Sequence, residues 1–588
     1  MLMLFRGLPA VLALSLLSGG VFAQDAPKEQ PKPDQAETKP ATPTLSEIAN
    51  KIKEEGQQRS QVMPTLSYLT DVIGPRLTAS PGMKRANEWT RDKLTGWGLE
   101  NAHLEPWGPF GKGWTLKSFN AQVIEPQCIP LIAFPKAWSP GTAGTVVGEV
   151  IHLTAKEEKD LEAFKGKLKG SIVLLGQPRE VKAWFTAPGE RLGDDKLLTM
   201  ANAPEPAPGR RGGGRPNPRK PGDPAPAPNF NQIRAKFLMD EGVALTLEPS
   251  FRGDGGTLFV AQASVPGSPD GKRVAAWEKD APPILPQAVV TIEHYNRLAR
   301  MLEQGEKLKM AVDLQVEFHD QDLMGYNTVA EIPGADLKDE VVMLGAHMDS
   351  WHSGTGATDN GAGVATCMEA VRILKALNLQ PRRTIRVALW SGEEQGLYGS
   401  KAYVNEHFGR FEEAGDKPAE ETFEPGDASS ERPLLVKPEY EKFSAYFNLD
   451  NGTGKIRGIH MEGNEASRSI FRKWFAPFQD LGATTLTLSR TGGTDHMSFD
   501  GIGLPGFQFI QDPIEYDART HHSNQDLYER IQAEDLKQAS IILASFVYNT
   551  AVADEKFPRK PLSAPIQPES VNPPKAEAGA GAGAGGQN

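Results

Sequence analysis

Val341–Gly363 reads VVMLGAHMDSWHSGTGATDNGAG. Its opening apolar run is the pattern of a strand buried on both faces, as in a parallel sheet covered by helices. The run breaks into His347, Asp349 and Asp359 among Gly, Ser and Thr. It resumes as GAGVATCMEAVRILKALN, where Val364, Met368, Val371 and Leu374 share one helical face. A strand, a glycine-rich turn and a helix in succession predict an α/β layer. Outward from this unit the alternation continues. Strand signals at NTVAEIPG, TIRVALW, AYFNLD, IRGIHM and GFQFIQ interleave with helix signals at LYGSKAYVNEHF, SRSIFRKWFAPFQDLG and AEDLKQASIILASFVYNT. The expected fold class is α/β: a mixed, largely parallel sheet with helices on both faces.

Upstream the texture differs. Residues 46–99 read mainly as helices, with Trp89, Leu94 and Trp97 at helical spacing. After Asn101 short β-rich runs (GTVVGEVIHL, KGSIVLLG, TLFVAQASV, PQAVVTIEHYNRLARML) predict a separate module of mixed type. The first residues, with Arg6, an apolar run Leu8–Leu17 and small residues before Gln24, read as a signal peptide ending at Ala23. A membrane anchor would need a longer apolar run. Four stretches dominated by Pro, Gly and charge look unstructured: 24–43, 201–229, 411–439 and 557–588.

The 588 residues suffice for one large domain and a smaller one, or two or three of ordinary size, and the net charge of −11 argues against nucleic acid as a partner. Two cysteines, Cys128 and Cys367, are too few for a disulfide framework.

The chemistry gathers at predicted strand ends, where open α/β sheets bind ligands. His347 and Asp349 follow VVMLGA, Glu393 and Glu394 follow TIRVALWSG, Asp450 ends AYFNLD, and His521 and His522 lie downstream of GFQFIQ. Singly, each has an ordinary explanation: Asp359 as a helix cap, the glutamates as a solvated turn. Capping and solvation do not, however, bring so many imidazoles and carboxylates to the ends of different strands of one sheet. Divalent metals bind this donor mixture, and two of them can share a bridging carboxylate. Period-two geometry puts His347 and Asp349 on one side of their strand, so Asp349 is expected to hydrogen-bond the free ring nitrogen of His347. Of the adjacent glutamates, one can ligate while the other serves as general base.

The motifs AHMDSW, ATDNGAG, WSGEEQG, FNLDNG, GGTDHMSF and THHSNQD, together with GPRLTASPG near the start, resemble peptidase family M28, the zinc exopeptidases, and most of all its secreted members with a protease-associated (PA) domain. The resemblance implies two Zn²⁺, one held by His347, Asp359 and Asp450, the other by Asp359, Glu394 and His522, with Co²⁺ or Mn²⁺ also compatible with these ligands. It implies Glu393 as general base, Asp349 as orienting carboxylate, and Asp495 and His496 as residues lining the substrate pocket. His522 is preferred to His521 because HSNQD fits the family's arrangement. The related M20 family places its bridging aspartate further from the HxD pair.

The implied organisation is a signal peptide at 1–23, a linker at 24–45, a discontinuous peptidase domain at 46–125 and 318–555, a PA domain at 126–317 with an unstructured loop at 201–229, and a Pro/Ala/Gly tail at 556–588. The implied protein is exported, to the periplasm or the extracellular space, keeps no membrane anchor, and hydrolyses peptides as an aminopeptidase by attack of a metal-activated water. A dipeptidase or carboxypeptidase would use the same metals. A glutaminyl cyclase would need only one zinc, and a non-catalytic ectodomain would lack ligands that are present here.

Overall fold

The strand Leu337–His347 lies inside an eight-stranded sheet whose order is Glu100–Trp107, Gly325–Ile332, Arg383–Trp390, Leu337–His347, Phe443–Asn448, Gly506–Gln511, Ile456–His460 and Thr485–Thr487. The computed structural model describes residues 44–206, 230–266, 274–412, 432–562 and 564–569. Four adjacent strands, from Arg383–Trp390 to Gly506–Gln511, run parallel. Antiparallel pairs flank them on both sides.

Alternation along the His347 strand sends its side chains to two different cores. Val342, Leu344 and Ala346 join Cys367, Met368 and Val371 of the helix Ala362–Ala376, and Ile542 and Phe546 of the helix Ala533–Val552. Met343 turns the other way, to Trp390, Tyr403, Val404 and Phe499. The sheet is therefore covered on both faces, which is why its strands are apolar almost throughout. Removing a large core side chain such as Phe546 would cost about 3–5 kcal/mol.

A second eight-stranded sheet has its own core, built from Val150, Ile172, Leu174, Leu245, Leu247, Met310 and Val312 beneath the helix Ile292–Glu303. Its long hairpin-like pair joins Gly113–Glu125 to Lys309–His319. The strand Gly113–Glu125 thus belongs to this sheet, although the sequence reading put residues up to 125 with the peptidase. A continuous β-rich texture from Asn101 onward hid the change of sheet between Trp107 and Gly113.

Part of the expected tail is ordered by contacts. Phe557 is buried among Phe471, Trp474 and Phe507, and Ile566–Pro568 adds a parallel strand to Leu434–Val436, which itself lies in a stretch expected to be irregular. Isolated apolar residues among prolines carry no periodicity, so composition alone missed them. Cys128 is exposed and Cys367 buried, and both are free. The expected signal peptide, most of the 24–45 linker, residues 207–229 of the loop and 570–588 of the tail lie outside the described residues. Among the described residues no helix is long and apolar enough to cross a membrane.

Candidate metal centre

All four parallel strands end on one side of the sheet, the position at which open α/β folds assemble ligand sites. His347 is the last residue of its strand and pairs with Trp390, after which Ser391 and Gly392 lead to Glu393 and Glu394. Asn448 pairs with both Gly345 and Gln508, two residues ahead of Asp450. The loop after Gly506–Gln511 returns with His521 and His522.

Asp359 reaches this place by a turn fixed from beneath. Gly356 has φ +63°, and a Cβ there would lie 2.3 Å from Cβ of Ser350. The fully buried Arg76 donates to the carbonyls of Met348 (2.7 Å), Thr355 (2.8 Å) and Gly356 (2.8 Å). The Asp526 carboxylate accepts the backbone N–H groups of Thr358 (2.5 Å) and Asp359 (3.2 Å). Gly363 lets the following helix close on Asp450's strand, since a Cβ would lie 2.4 Å from the Leu449 carbonyl.

Two imidazoles approach Asp359. His347 Nε2 lies 3.2 Å from Asp359 Oδ1, 3.5 Å from Asp450 Oδ1 and 4.0 Å from Glu393 Oε2. His522 Nε2 lies 3.2 Å from Asp359 Oδ2 and 2.8 Å from Glu394 Oε2. His521 is further off, with Nε2 at 3.7 Å from Asp359 Oδ2, and its Nδ1 faces Arg252 Nη2 at 3.1 Å.

Asp349 differs from expectation. Its backbone carbonyl, not its carboxylate, takes the Nδ1–H of His347, at 3.0 Å, while the carboxylate stands 3.6 Å away. The carboxylate is committed elsewhere: it accepts the Thr78 hydroxyl (3.1 Å) and the backbone N–H groups of Glu393 and Glu394, both at 3.2 Å. The chain turns sharply after the strand, which brings the carbonyl rather than the side chain under the ring. The carbonyl orients the ring all the same, with Nε2 turned toward Asp359 and Asp450.

Asp450 is held by a buried polar chain. Trp390 Nε1–H donates to Tyr446 Oη (2.7 Å), which donates to Asn448 Oδ1 (2.5 Å). Asn448 donates to Gln508 Oε1 (2.8 Å), and Gln508 donates to the Asp450 carbonyl (2.5 Å). Asp495 and His496 are both fully buried at the start of the short helix His496–Asp500. His496 Nε2 faces Glu462 at 3.4 Å.

The protonation pattern is that of crowded buried carboxylates. Burial pushes Glu393 well above the usual range; His347 opposes this, and Asp450, Asp495 and Glu394 add to it. Glu394 is pushed up to about 7 by burial and the Asp359 charge. Burial alone would lower His347, but Asp450 and Glu393 hold it well above its ordinary value. Burial would raise Asp359, but His347 and His522 hold it well below. Among the described residues no Lys or Arg forms an ion pair with Asp359, Glu393, Glu394 or Asp450, and Asp359 Oδ2 and Glu394 Oε1 are buried without a hydrogen-bond partner. Buried charge left uncompensated in this way calls for cations, and the ligand atoms of His347, Asp359 and Glu394 lie within 4.8 Å of one another. The donor set and its orphaned oxygens fit divalent metal.

Arg76, Thr78, Trp351 and Asp526 support the centre but were given no role from sequence. Arg76 and Asp526 lie inside the motifs GPRLTASPG and THHSNQD; their partners at Met348, Thr358 and Asp359 are more than 160 residues away, which no local pattern reveals.

Imidazoles and carboxylates converge at the ends of parallel strands as a candidate metal centre, and with the family match and relatives that follow the chain is a metallo-exopeptidase, a hydrolase. Residues 327–547 match the model described as peptidase family M28. The chain is 26% identical over 505 residues to carboxypeptidase Q of Bos taurus, across 86% of this chain and 88% of that one. It is 30% identical over 226 residues to aminopeptidase YwaD of Bacillus subtilis, across 37% and 43% of the two chains. A solved peptidase M28 precursor from Shewanella amazonensis shares the fold, with a TM-score of 0.58 at 23% identity over 88% of this chain and 99% of that one.

Proposed function

We propose that this chain is an exported aminopeptidase with two zinc ions, releasing N-terminal residues from peptides. The observation that carries this reading is Asp359, each of whose oxygens lies 3.2 Å from a different imidazole, with Asp450 beside one and Glu394 beside the other. One zinc would be held by His347, Asp359 and Asp450, the second by Asp359, Glu394 and His522; cobalt or manganese suits the same donors. Bound there, the metals supply Lewis acidity and lower the pKa of water.

The remaining steps belong to side chains. Glu393 takes the water's proton as the water oxygen attacks the scissile carbonyl carbon, then gives that proton to the amine nitrogen as the C–N bond breaks. Asp349 holds the backbone of Glu393 and Glu394 and so fixes where both side chains begin.

The second sheet, at residues 126–317 with the strand Gly113–Glu125, is read as the PA domain. Export rests on Arg6, the apolar run Leu8–Leu17 and Ala23.

A dipeptidase or carboxypeptidase is the second reading. The alignment with carboxypeptidase Q over most of both chains favours it. So does Arg252, which packs 4.2 Å over the Phe259 ring beside His521 and has no carboxylate ion pair among the described residues, leaving it able to meet a substrate carboxylate. Zinc-loaded protein supplied with aminoacyl-nitroanilides, N-blocked peptides and free dipeptides decides the matter. Release from nitroanilides and unblocked peptides is expected; cleavage of blocked peptides alone would overturn the aminopeptidase reading.

A further inference from the structure

Between His347 and Asp359 the chain touches the second sheet. Trp351 is 5% exposed, and its indole N–H donates to Glu394 Oε2 at 2.8 Å. Its ring stands edge-on to His522 at 5.9 Å and to Trp138 at 6.3 Å. Trp138 is itself immobilised: its N–H donates to the Lys112 carbonyl at 2.7 Å, and its ring packs on Trp277 at 5.0 Å. The next residue, His352, is anchored too, with Nε2–H donating to the Pro135 carbonyl at 2.7 Å and its ring edge-on to Trp114 at 5.2 Å. Trp351 cannot turn without breaking these contacts.

The consequence falls on Glu394, a long side chain whose terminal torsion is soft. Its Oε2 receives the Trp351 N–H and faces His522 Nε2 at 2.8 Å, while its Oε1 is buried with no partner. We infer that Trp351 is a positioning residue: it ties Oε2 of Glu394 to the aromatic wall of Trp138 and Trp277 and thereby presents Oε1 to a divalent cation. Trp138 lies in the turn that follows the strand Ala133–Pro135 of the second sheet, so that turn takes part in shaping the centre. The inference rests on the proposed role of Glu394 as a metal ligand. Partners that orient a ligand in this way typically change metal affinity or activity by about 10- to 100-fold when lost.

The test compares full-length Trp351→Phe, Trp138→Leu and Glu394→Gln with the parent chain. Zinc affinity is measured by chelator competition, alongside kcat, KM and melting of the metal-free chain. Trp351→Phe keeps the ring and removes the donor. It should weaken zinc binding by about 10- to 100-fold and lower kcat more than it changes KM, with the metal-free melting temperature preserved. Trp138→Leu, which leaves the hydrogen bond but loosens the wall, should shift zinc affinity in the same direction by less, and decides the matter if Trp351→Phe does not fold. Parent-like zinc affinity in both tryptophan variants, with zinc lost in Glu394→Gln, would overturn the inference and leave the ligand reading intact. Zinc retained in Glu394→Gln would overturn both.

Discussion

His347 and His522 reach one carboxylate from opposite ends, with Nε2 of His347 3.2 Å from Asp359 Oδ1 and Nε2 of His522 3.2 Å from Asp359 Oδ2. They sit on different elements, one closing a strand and the other in a loop more than 170 residues on, so each should serve its own metal. His347→Ala and His522→Ala are each expected to lose close to one equivalent of zinc. His521→Ala should keep both, since its Nδ1 faces Arg252 and its Nε2 stands further off. Metal analysis of the three variants checks this, and loss of zinc in His521→Ala alone would exchange the two histidines' roles.

Glu393→Gln should separate chemistry from assembly. The amide preserves shape but cannot take a proton, so kcat should fall by about 10²–10⁴-fold with zinc content retained. Steady-state kinetics paired with metal analysis reads both, and a fall in zinc matching the fall in activity would make Glu393 a ligand instead.

Arg76→Met should destabilise the chain by about 3 kcal/mol or more, because the carbonyls of Met348, Thr355 and Gly356 would lose a buried donor together. Denaturant unfolding of the metal-free protein measures the change. The same variant should bind zinc more weakly, since the turn it supports carries Asp359.

A pH effect is expected at His407. His407 lies 2.9 Å from Glu105 and 3.3 Å from Glu439; burial opposes its charge, yet these carboxylates raise its pKa to about 9. A raised histidine stabilises the fold fully below its ordinary value of 6.5, and that contribution is lost as pH rises through about 9. His407→Gln should therefore flatten the fall in metal-free melting temperature between those two values. Its loss at lower pH should cost about 1 kcal/mol.

Much of this was legible in the sequence. The parallel strands were legible as nearly continuous apolar runs, because a strand covered by helices on both faces buries both sets of side chains. The helix after Asp359 was equally plain from the spacing of Val364, Met368, Val371 and Leu374. What escaped were relations that depend on three-dimensional closure. The carbonyl of Asp349 under His347, Arg76 beneath the turn, and Trp351 against Glu394 each follow from where a chain bends, and no period in the sequence encodes it. The change of sheet at Gly113 and the strand Ile566–Pro568 escaped for a related reason: strand texture does not say which partner a strand will choose.

The most direct measurement is zinc per chain, determined after exhaustive dialysis for the parent and for Asp359→Ala. The bridging role predicts two equivalents in the parent, and in the variant less than one together with loss of peptide hydrolysis. Zinc content unchanged in Asp359→Ala would contradict the shared-carboxylate centre, and with it the assignment of the residues around it.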